Sequence, residues 1–426
     1  MSVFNRYKYA KQYKRLLFAG YMFTLLVFAI KLVYTAQLPV VIKFFKTTKA
    51  NATLGLTIYY FVYAAAQIAL SFFITKINFK NFLLITSVLS AISFSLISFT
   101  SSLFVIWAIF ALNGILQAGS WGGIVFIISK YLPNETLSYS NKMLSTASTV
   151  GNAITYAVSA FFFAVADWRT TFIFFGILFL LSIVYLFIQI GVLDKISKKK
   201  DEYSFEYIKQ GTDKGKQKTL YVVPFGIKFN VKLFVAFIIL CSFMSNCLIY
   251  GIGNWITNLL IDVHGFPTAL SILLTMVMPL IAMFATILMY NSYDKSSKIF
   301  TKTGISTFIL LILTVVMIFG FDLSFVFAII MCVFMKFLPN AISSGYGSYS
   351  LIKIKNYFNS GTSTLIVNSG AAIAAGLMPF ITGLIMDKYG WAVYYGFMAG
   401  VCFITLLIIL IGVIVLNKKN NISNWF

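Results

Sequence analysis

The segment FAGYMFTLLVFAIKLVYTAQLPVVI, from Phe18 to Ile42, is apolar over more than the length that a helix needs to cross a bilayer. A membrane-spanning helix requires about 20 consecutive, mostly apolar residues. A single charged side chain, Lys31, interrupts the segment. We predict that Phe18–Ile42 is a transmembrane helix. The basic stretch before it and the absence of a small-residue cleavage site indicate a retained helix, not a cleaved signal peptide.

Further apolar runs of spanning length follow along the whole chain. Five of them complete a first set of six, and another six form a second set. The predicted spans after the first are Leu54–Ile74, Phe82–Phe99, Leu103–Ser129, Met143–Val165, Thr170–Leu193, Leu233–Ile261, Pro267–Tyr290, Gly304–Phe319, Leu323–Ile352, Ser360–Met386 and Trp391–Leu416. The sequence therefore predicts an all-α membrane protein with twelve transmembrane helices.

The composition excludes an ordinary water-soluble protein. Hydrophobic residues make up 60% of the 426 residues and charged residues only 10%, whereas soluble domains carry about 25% charged residues. The net charge of +22 could indicate nucleic-acid binding. The lysines, however, lie in short segments between spans, on the side that would be cytoplasmic by the positive-inside rule. We expect no nucleic-acid partner, a bacterial inner membrane as the location, and both termini in the cytoplasm.

One long polar stretch, Asp194–Lys232, divides the chain into a half at 1–193, a charged cytoplasmic linker at 194–232 and a half at 233–426. The halves share features at one common offset: Trp168 and Trp391 precede the sixth and twelfth spans, and Gln117 matches Asn340. Such a weak repeat is typical of duplicated transporter bundles. The pattern favours two pseudo-symmetric six-helix bundles.

Motifs of soluble enzymes, metal centres and cofactor sites are absent from the sequence. The four cysteines lie inside apolar runs without metal-ligand spacing, and the one histidine, His264, lies in a short loop. We expect no catalytic residues, no metal and no cofactor. The remaining candidates for chemistry are polar residues inside the predicted spans.

Two lysines, Lys31 and Lys336, lie deep inside predicted spans. At a rise of roughly 1.5 Å per residue, each is about 18 Å or more along its helix from the next charged residue. All eleven acidic residues fall in loops or at span ends, so neither lysine has an evident counter-ion. Charges inside the membrane commonly mark a transport pathway. The alternative is that the lysines are neutral or bonded to backbone carbonyls.

Polar and aromatic residues concentrate on the first, fourth, seventh and tenth spans, which we predict to line a central cavity. Some of these residues could instead be hydrogen-bonded contacts between helices. Besides Lys31 and Lys336, the predicted substrate-binding residues are Tyr34, Asn113, Gln117, Trp121, Tyr250, Asn254 and Asn340.

The layout of six spans, a linker and six spans resembles the major facilitator superfamily. Within it, four segments resemble the organophosphate:phosphate antiporters, which exchange glycerol phosphate or hexose phosphate. The segments are NGILQAGSWGG (Asn113–Gly123), STVGN (Ser148–Asn152), LIYGIGNW (Leu248–Trp255) and FLPN (Phe337–Asn340) with the SGY that follows (Ser344–Tyr346). The resemblance implies the major facilitator fold and alternating access.

In the antiporters, an arginine of the first helix and another of the seventh hold the phosphate. The resemblance places the first of these positions at Lys31, where a cation is kept, and the second at Ile249, where it is lost. The pocket histidine of the antiporters falls near Ser148. We interpret Lys336 on the tenth span as a relocated second cation.

Together these features predict a monomeric secondary transporter in the lipid bilayer, moving a small organic anion such as an organophosphate or a carboxylate. Since no carboxylate lies within a span, exchange or facilitated uptake is expected rather than carboxylate-based proton symport. The alternative function is import of an amino acid or another zwitterionic nutrient, with one lysine binding its carboxylate.

Overall fold

The computed structural model describes residues 4, 7, 9–73, 78–133, 136–201, 231–295, 298–346 and 360–420. All regular elements in these ranges are helical. The helices are α1 (Ala10–Ala36), α2 (Leu38–Phe45), α3 (Lys49–Phe73), α4 (Phe79–Leu96), α5 (Leu103–Gln117), α6 (Ser120–Tyr131), α7 (Leu137–Val165), α8 (Thr170–Asp201), α9 (Val231–Gly253), α10 (Ile256–Asp262), α11 (Thr268–Thr275), α12 (Val277–Lys295), α13 (Ile299–Gly320), α14 (Phe325–Ser344) and α15 (Ser360–Asn420).

The described residues contain eleven helical stretches that are long and apolar enough to cross a membrane. The last of them, Val367–Ile414, has 48 residues, which is about twice the length of one crossing. It is broken at Gly390, where the backbone turns through φ +80°. Because α15 therefore supplies two crossings, the described residues contain the twelve spans that the sequence predicted.

The first span differs from its predicted bounds of Phe18–Ile42 at both ends. Helix α1 begins at Ala10, because basic side chains limit the apolar stretch but do not terminate a helix. It ends at Ala36, and the short helix α2 follows after Gln37, with Pro39 in its first turn. Proline lacks the N–H that would continue the hydrogen-bond ladder of the preceding helix.

Three further predicted spans are interrupted in the structure. The fourth is divided between α5 and α6 at Ala118 and Gly119, the seventh between α9 and α10 at Asn254 and Trp255, and the eighth between α11 and α12 at Met276. Hydropathy measures the length of an apolar run but carries no information on the continuity of the backbone. The sequence therefore predicted continuous helices where the structure has interrupted ones.

The spans form two helical halves. In the first half, α1 packs against α7 and α8, and α3 packs against α5. In the second half, α15 packs against α9 and α13, and α14 packs against α9 and α12. A Cβ added at Gly151 would lie 2.5 Å from the carbonyl oxygen of Leu25, so this glycine permits the close crossing of α1 and α7. The all-α, two-bundle prediction is confirmed.

The halves meet through α3 and α15 and through α7 with α11 and α12. We call the end of the molecule where α3 begins the Lys49 end. There Lys49 Nζ forms an ion pair of 2.9 Å with Asp262 on α10. The backbone N–H groups of Lys49 and Ala50 donate to the two Asp387 carboxylate oxygens of α15, at 3.0 and 2.9 Å. The Lys49 end is thus bridged by charged groups of both halves.

The opposite end, which we call the Lys80 end, has its own charged cluster within the first half. Lys80 Nζ lies 2.6 Å from Asp194 Oδ2, and the Tyr131 hydroxyl donates to the other oxygen of the same carboxylate. Helix α8 continues to Asp201, so residues 194–201 of the predicted linker are helical. The rest of the linker up to Asn230 lies outside the described residues.

Candidate functional site

A cavity of about 340 Å³ lies between the two halves. This volume is within the range of roughly 300–1,000 Å³ that small-molecule sites occupy. Its walls come from α1, α3 and α7 of the first half and from α9, α11, α12 and α14 of the second, together with the α9–α10 break. The predicted residues that line it are Lys31, Tyr250, Asn254, Lys336 and Asn340. Helix packing therefore brings both intramembrane lysines to one cavity.

Lys31 projects from the last third of α1, five residues before the helix ends at Ala36. Its ammonium lies 4.0 Å from the centre of the Phe28 ring, one turn earlier on the same helix. Within the described part of the chain, the Lys31 side chain has no hydrogen bond and no ion pair. It also borders a second, much smaller cavity of about 10 Å³, which is roughly the space for one water molecule. Among the described protein groups, the Phe28 ring is therefore the one that stabilises the Lys31 charge.

Lys336 projects from α14 toward the point where α9 ends. Its Nζ lies 2.3 Å from the position that a Cβ would take on Gly253, the last residue of α9. The C-terminus of a helix carries a partial negative charge of about half an elementary unit. Gly253 makes room for the ammonium, and the end of α9 supplies a favourable electrostatic environment for it.

Asparagine side chains add hydrogen-bonding groups around the lysines. Asn254 lies at the break between α9 and α10, and Asn340 lies one turn beyond Lys336 on α14. The Asn340 amide nitrogen donates to the Lys336 carbonyl oxygen at 2.8 Å. Asn246 donates in the same way to the Ser242 carbonyl oxygen at 2.8 Å. The amide nitrogens of Asn246 and Asn340 thus each donate one hydrogen bond within their own helix.

Two predicted residues, Tyr34 and Asn113, lie away from the cavity. The Tyr34 hydroxyl is buried and donates to the Ala52 carbonyl oxygen at 2.6 Å. Asn113 is fully buried, accepts from the Ser90 hydroxyl at 2.7 Å and donates to Ser93 at 2.8 Å. Both side chains join α1 and α5 to neighbouring helices. Tyr34 and Asn113 therefore form hydrogen-bonded contacts between helices, which was the alternative interpretation of the polar residues in the spans.

Gln117 and Trp121, on the fourth span, border the small cavity beside Lys31 and not the large one. The Gln117 carbonyl oxygen accepts from the Tyr59 hydroxyl at 2.8 Å, and its amide nitrogen donates to Ser90 at 3.0 Å. The fourth span therefore contributes to the small cavity at Lys31 and not to the large one, and its role in substrate binding stays a prediction. Its polar side chains face α3 and α4, because residue type alone does not indicate which neighbour a helix face meets.

The second, fifth and eighth spans also contribute to the large cavity, which the sequence analysis did not predict. Tyr60 comes from α3, and Asn152 and Tyr156 come from α7. On the predicted helices, the cavity is also lined by Phe28 and Asn246, which lie three and four residues before Lys31 and Tyr250 and were not among the predicted binding residues. Positions with this spacing share a helix face, so extending from each candidate by three or four residues would have found them.

The described residues hold no group of three His, Cys, Asp or Glu side chains that could bind a metal ion. Cys241, Cys247, Cys332 and Cys402 are unpaired and buried. The chemistry that the cavity offers is therefore binding through ammonium, amide and aromatic groups. Among the described residues that line it, none carries a carboxylate.

Cysteine substitution should separate the cavity wall from the interhelical contacts. In a cysteine-free background, Asn254→Cys and Asn340→Cys should react rapidly with a small hydrophilic thiol reagent, because both side chains line the large cavity. Gln117→Cys should react much more slowly, and Asn113→Cys should stay unreacted, because these side chains are 2% and 0% exposed. Mass spectrometry of the labelled protein measures the rates. Equal reactivity at Asn113 and Asn254 would contradict the described geometry.

Comparison with known proteins agrees with this architecture. The family profile described as Major Facilitator Superfamily matches residues 16–354. No curated protein matches the chain by sequence. Among solved structures, a bacterial homolog of the human lysosomal transporter Spinster, in an inward-facing and occupied conformation, superposes with a TM-score of 0.70 at 14% identity, over 96% of this chain and 98% of that one.

Two further solved structures have the same fold. A mutant of the nucleoside transporter NupG gives a TM-score of 0.69 at 12% identity, over 93% of this chain and 99% of that one. The xylose transporter XylE from E. coli, in a partially occluded inward open conformation, gives 0.71 at 13% identity, over 93% and 98%. Identities this low show the fold alone, whereas the family profile covers most of the sequence. The chain therefore belongs to the major facilitator superfamily of membrane transporters.

Proposed function

We propose that this transporter moves a small organic anion, a carboxylate or an organophosphate, through the cavity between its halves. The observation that carries the proposal is the presence of two ammonium groups, Lys31 and Lys336, at a cavity where the described lining residues include no carboxylate. Placing a lysine at the centre of a membrane helix costs about 2.5–3.5 kcal/mol on insertion scales. A ligand that brings negative charge to the cavity offsets part of that cost.

Alternating access requires a binding site between two halves and contacts between the halves that can open and close. Lys31 belongs to the first half and Lys336 to the second, so a ligand in this cavity lies between the two halves. At the Lys49 end the halves are bridged by Asp262 and Asp387. We propose that these bridges open when the halves rock about the bound ligand, as in other transporters built from paired bundles. Exchange or facilitated uptake fits a cavity without a lining carboxylate.

An amino acid remains the alternative substrate and is less well supported. Its carboxylate could bind Lys31, but its ammonium would enter a cavity with two cations and no lining acid. Of the anions, an organophosphate stays a candidate through the resemblance to the organophosphate:phosphate antiporters. The structural relatives carry xylose and nucleosides by their names, and their low identities do not favour either for this chain.

The orientation is part of the proposal. Lysines are concentrated at the Lys80 end, which supports placing this end and both termini in the cytoplasm by the positive-inside rule. The Lys49 end would then face outward. We propose a monomer in a bacterial inner membrane.

Ligand-induced stabilisation of the purified protein tests the proposal. Carboxylates, organophosphates, neutral sugars and amino acids should be screened by thermal shift, since a ligand at 100 times its Kd stabilises by about 2.7 kcal/mol. Anions should raise the melting temperature, and preloaded proteoliposomes should take up the labelled anion that stabilises most. Stabilisation by neutral sugars or amino acids without any response to anions would refute the proposal.

A further inference from the structure

We infer that the transported anion is a hydroxylated monocarboxylate, held by its carboxylate at Lys31 and by its hydroxyl groups at the asparagines of the second half. This inference rests on the proposed function and adds the chemical class of the substrate. The two lysines that line the cavity have different neighbours: Lys31 lies over the Phe28 ring, and Lys336 lies beside Gly253 at the end of α9. The asparagines on the cavity wall offer carbonyl oxygens as hydrogen-bond acceptors.

The charge of Lys336 lies beside the last turn of a helix, which offsets part of it. Its ammonium lies against Gly253, where the 23-residue helix α9 ends, and cations near a helix C-terminus are stabilised by the helix dipole. Neither ammonium has a hydrogen-bond acceptor within the described residues, and the contact of Lys31 there is the Phe28 ring at 4.0 Å. The Lys31 ammonium therefore has donors to offer to a ligand, and a single carboxylate satisfies them.

The asparagines complete the recognition of the neutral part of the ligand. Asn246 and Asn340 use their amide nitrogens in hydrogen bonds to Ser242 and Lys336 carbonyl oxygens of their own helices. Within the part of the chain that the structure describes, their carbonyl oxygens accept no hydrogen bond, and the Asn254 side chain makes none. These side chains line the cavity. Amide oxygens accept from hydroxyl groups, which are neutral donors.

Charge selects hydroxyls over ammonium groups as the donors. An ammonium on the ligand would also donate to the amide oxygens, but it would approach Lys336 with no acid among the lining residues. A hydroxyl meets no such repulsion. A ligand with a carboxylate at one end and hydroxyls at the other therefore joins the first half, through Lys31, to the second half, through Asn246, Asn254 and Asn340.

A matched ligand panel tests the inference. The probes are four- to six-carbon aldonates, the straight-chain carboxylates of equal length, the corresponding aldoses, and the dianionic aldarates and aldose phosphates. Binding to purified protein is measured by calorimetry or by competition. At least one aldonate should bind. Its straight-chain analogue should bind at least about 25-fold more weakly, because two hydrogen bonds are lost. The aldose should not compete with the aldonate, and no dianion should bind more tightly than it does.

A variant of one amide identifies the hydroxyl contact. Asn246→Leu should weaken aldonate binding about fivefold for each hydrogen bond lost without weakening the straight-chain carboxylate. Asn291→Leu, at an exposed position near the end of α12, is the matched control and should change neither affinity. Unaltered melting temperatures show that both variants are folded.

The outcomes separate the two levels of the proposal. Dianions that bind more than tenfold tighter than aldonates, or straight-chain carboxylates that bind as well as aldonates, would overturn the hydroxylated monocarboxylate and leave the anion transporter standing. Binding of aldoses or amino acids without binding of any anion would overturn the proposed function itself.

Discussion

Lys31→Gln should weaken binding of the transported anion by roughly 30-fold or more, because losing one partner of a buried charge pair costs at least about 2 kcal/mol. Glutamine keeps a polar end of similar length but cannot supply the charge. The ligand-free protein should be no less stable than the wild type, since the substitution removes a buried cation that has no ion pair within the described residues. Calorimetry on purified protein and thermal unfolding measure the two effects separately.

The control for this substitution is Lys388→Gln, which removes an exposed lysine at the Lys49 end and should leave binding unchanged. Lys31→Arg should retain partial binding, because arginine keeps the charge, although its planar fork and the compact ammonium are not equivalent. Wild-type affinity in Lys31→Gln would show that the lysine is structural and that the anion proposal is wrong.

Asp387→Asn should shift the protein toward a state that is open at the Lys49 end. The Asp387 carboxylate accepts from the Lys49 and Ala50 N–H groups, so a residue of the second half caps the first turn of α3 in the first half. A carboxylate at this position interacts favourably with the helix dipole, and its charge strengthens both hydrogen bonds. Asparagine has one acceptor oxygen and no charge.

Because Asp387 is exposed, the expected loss is discounted to about 1–2 kcal/mol, which corresponds to roughly a tenfold change in the population of the open state. The readout is the labelling rate of Asn254→Cys by a membrane-impermeant thiol reagent added at the Lys49 end, in vesicles of known orientation. The rate should rise about tenfold with Asp387→Asn.

Asp167→Asn is the matched control for the charge change. Asp167 is also exposed and lies at the Lys49 end, but the hydrogen bond it accepts comes from Arg169 in its own loop, at 2.8 Å. The control should leave the labelling rate unchanged. An unchanged rate in Asp387→Asn, measured from both sides of the membrane, would show that the contact does not hold the halves together.

The number of spans could be derived from sequence because hydropathy is a sum over neighbouring residues. The run Phe18–Ile42 is long enough to span a bilayer whatever it packs against, and the other runs follow the same rule. The depth of Lys31 and Lys336 in the membrane also follows from counting residues along a helix. The family, the all-α fold and the two candidate cations were therefore accessible without coordinates.

Only the tertiary structure decided which polar residues face the cavity. Asn113 and Asn254 are chemically alike and lie at similar depth in their spans, yet Asn113 is hydrogen-bonded to Ser90 and Ser93, and Asn254 lies at a helix break on the cavity wall. The contacts of Lys49 with Asp262 and Asp387 join residues more than 200 positions apart. Such partners depend on how whole helices pack against one another, which no local pattern of residues determines.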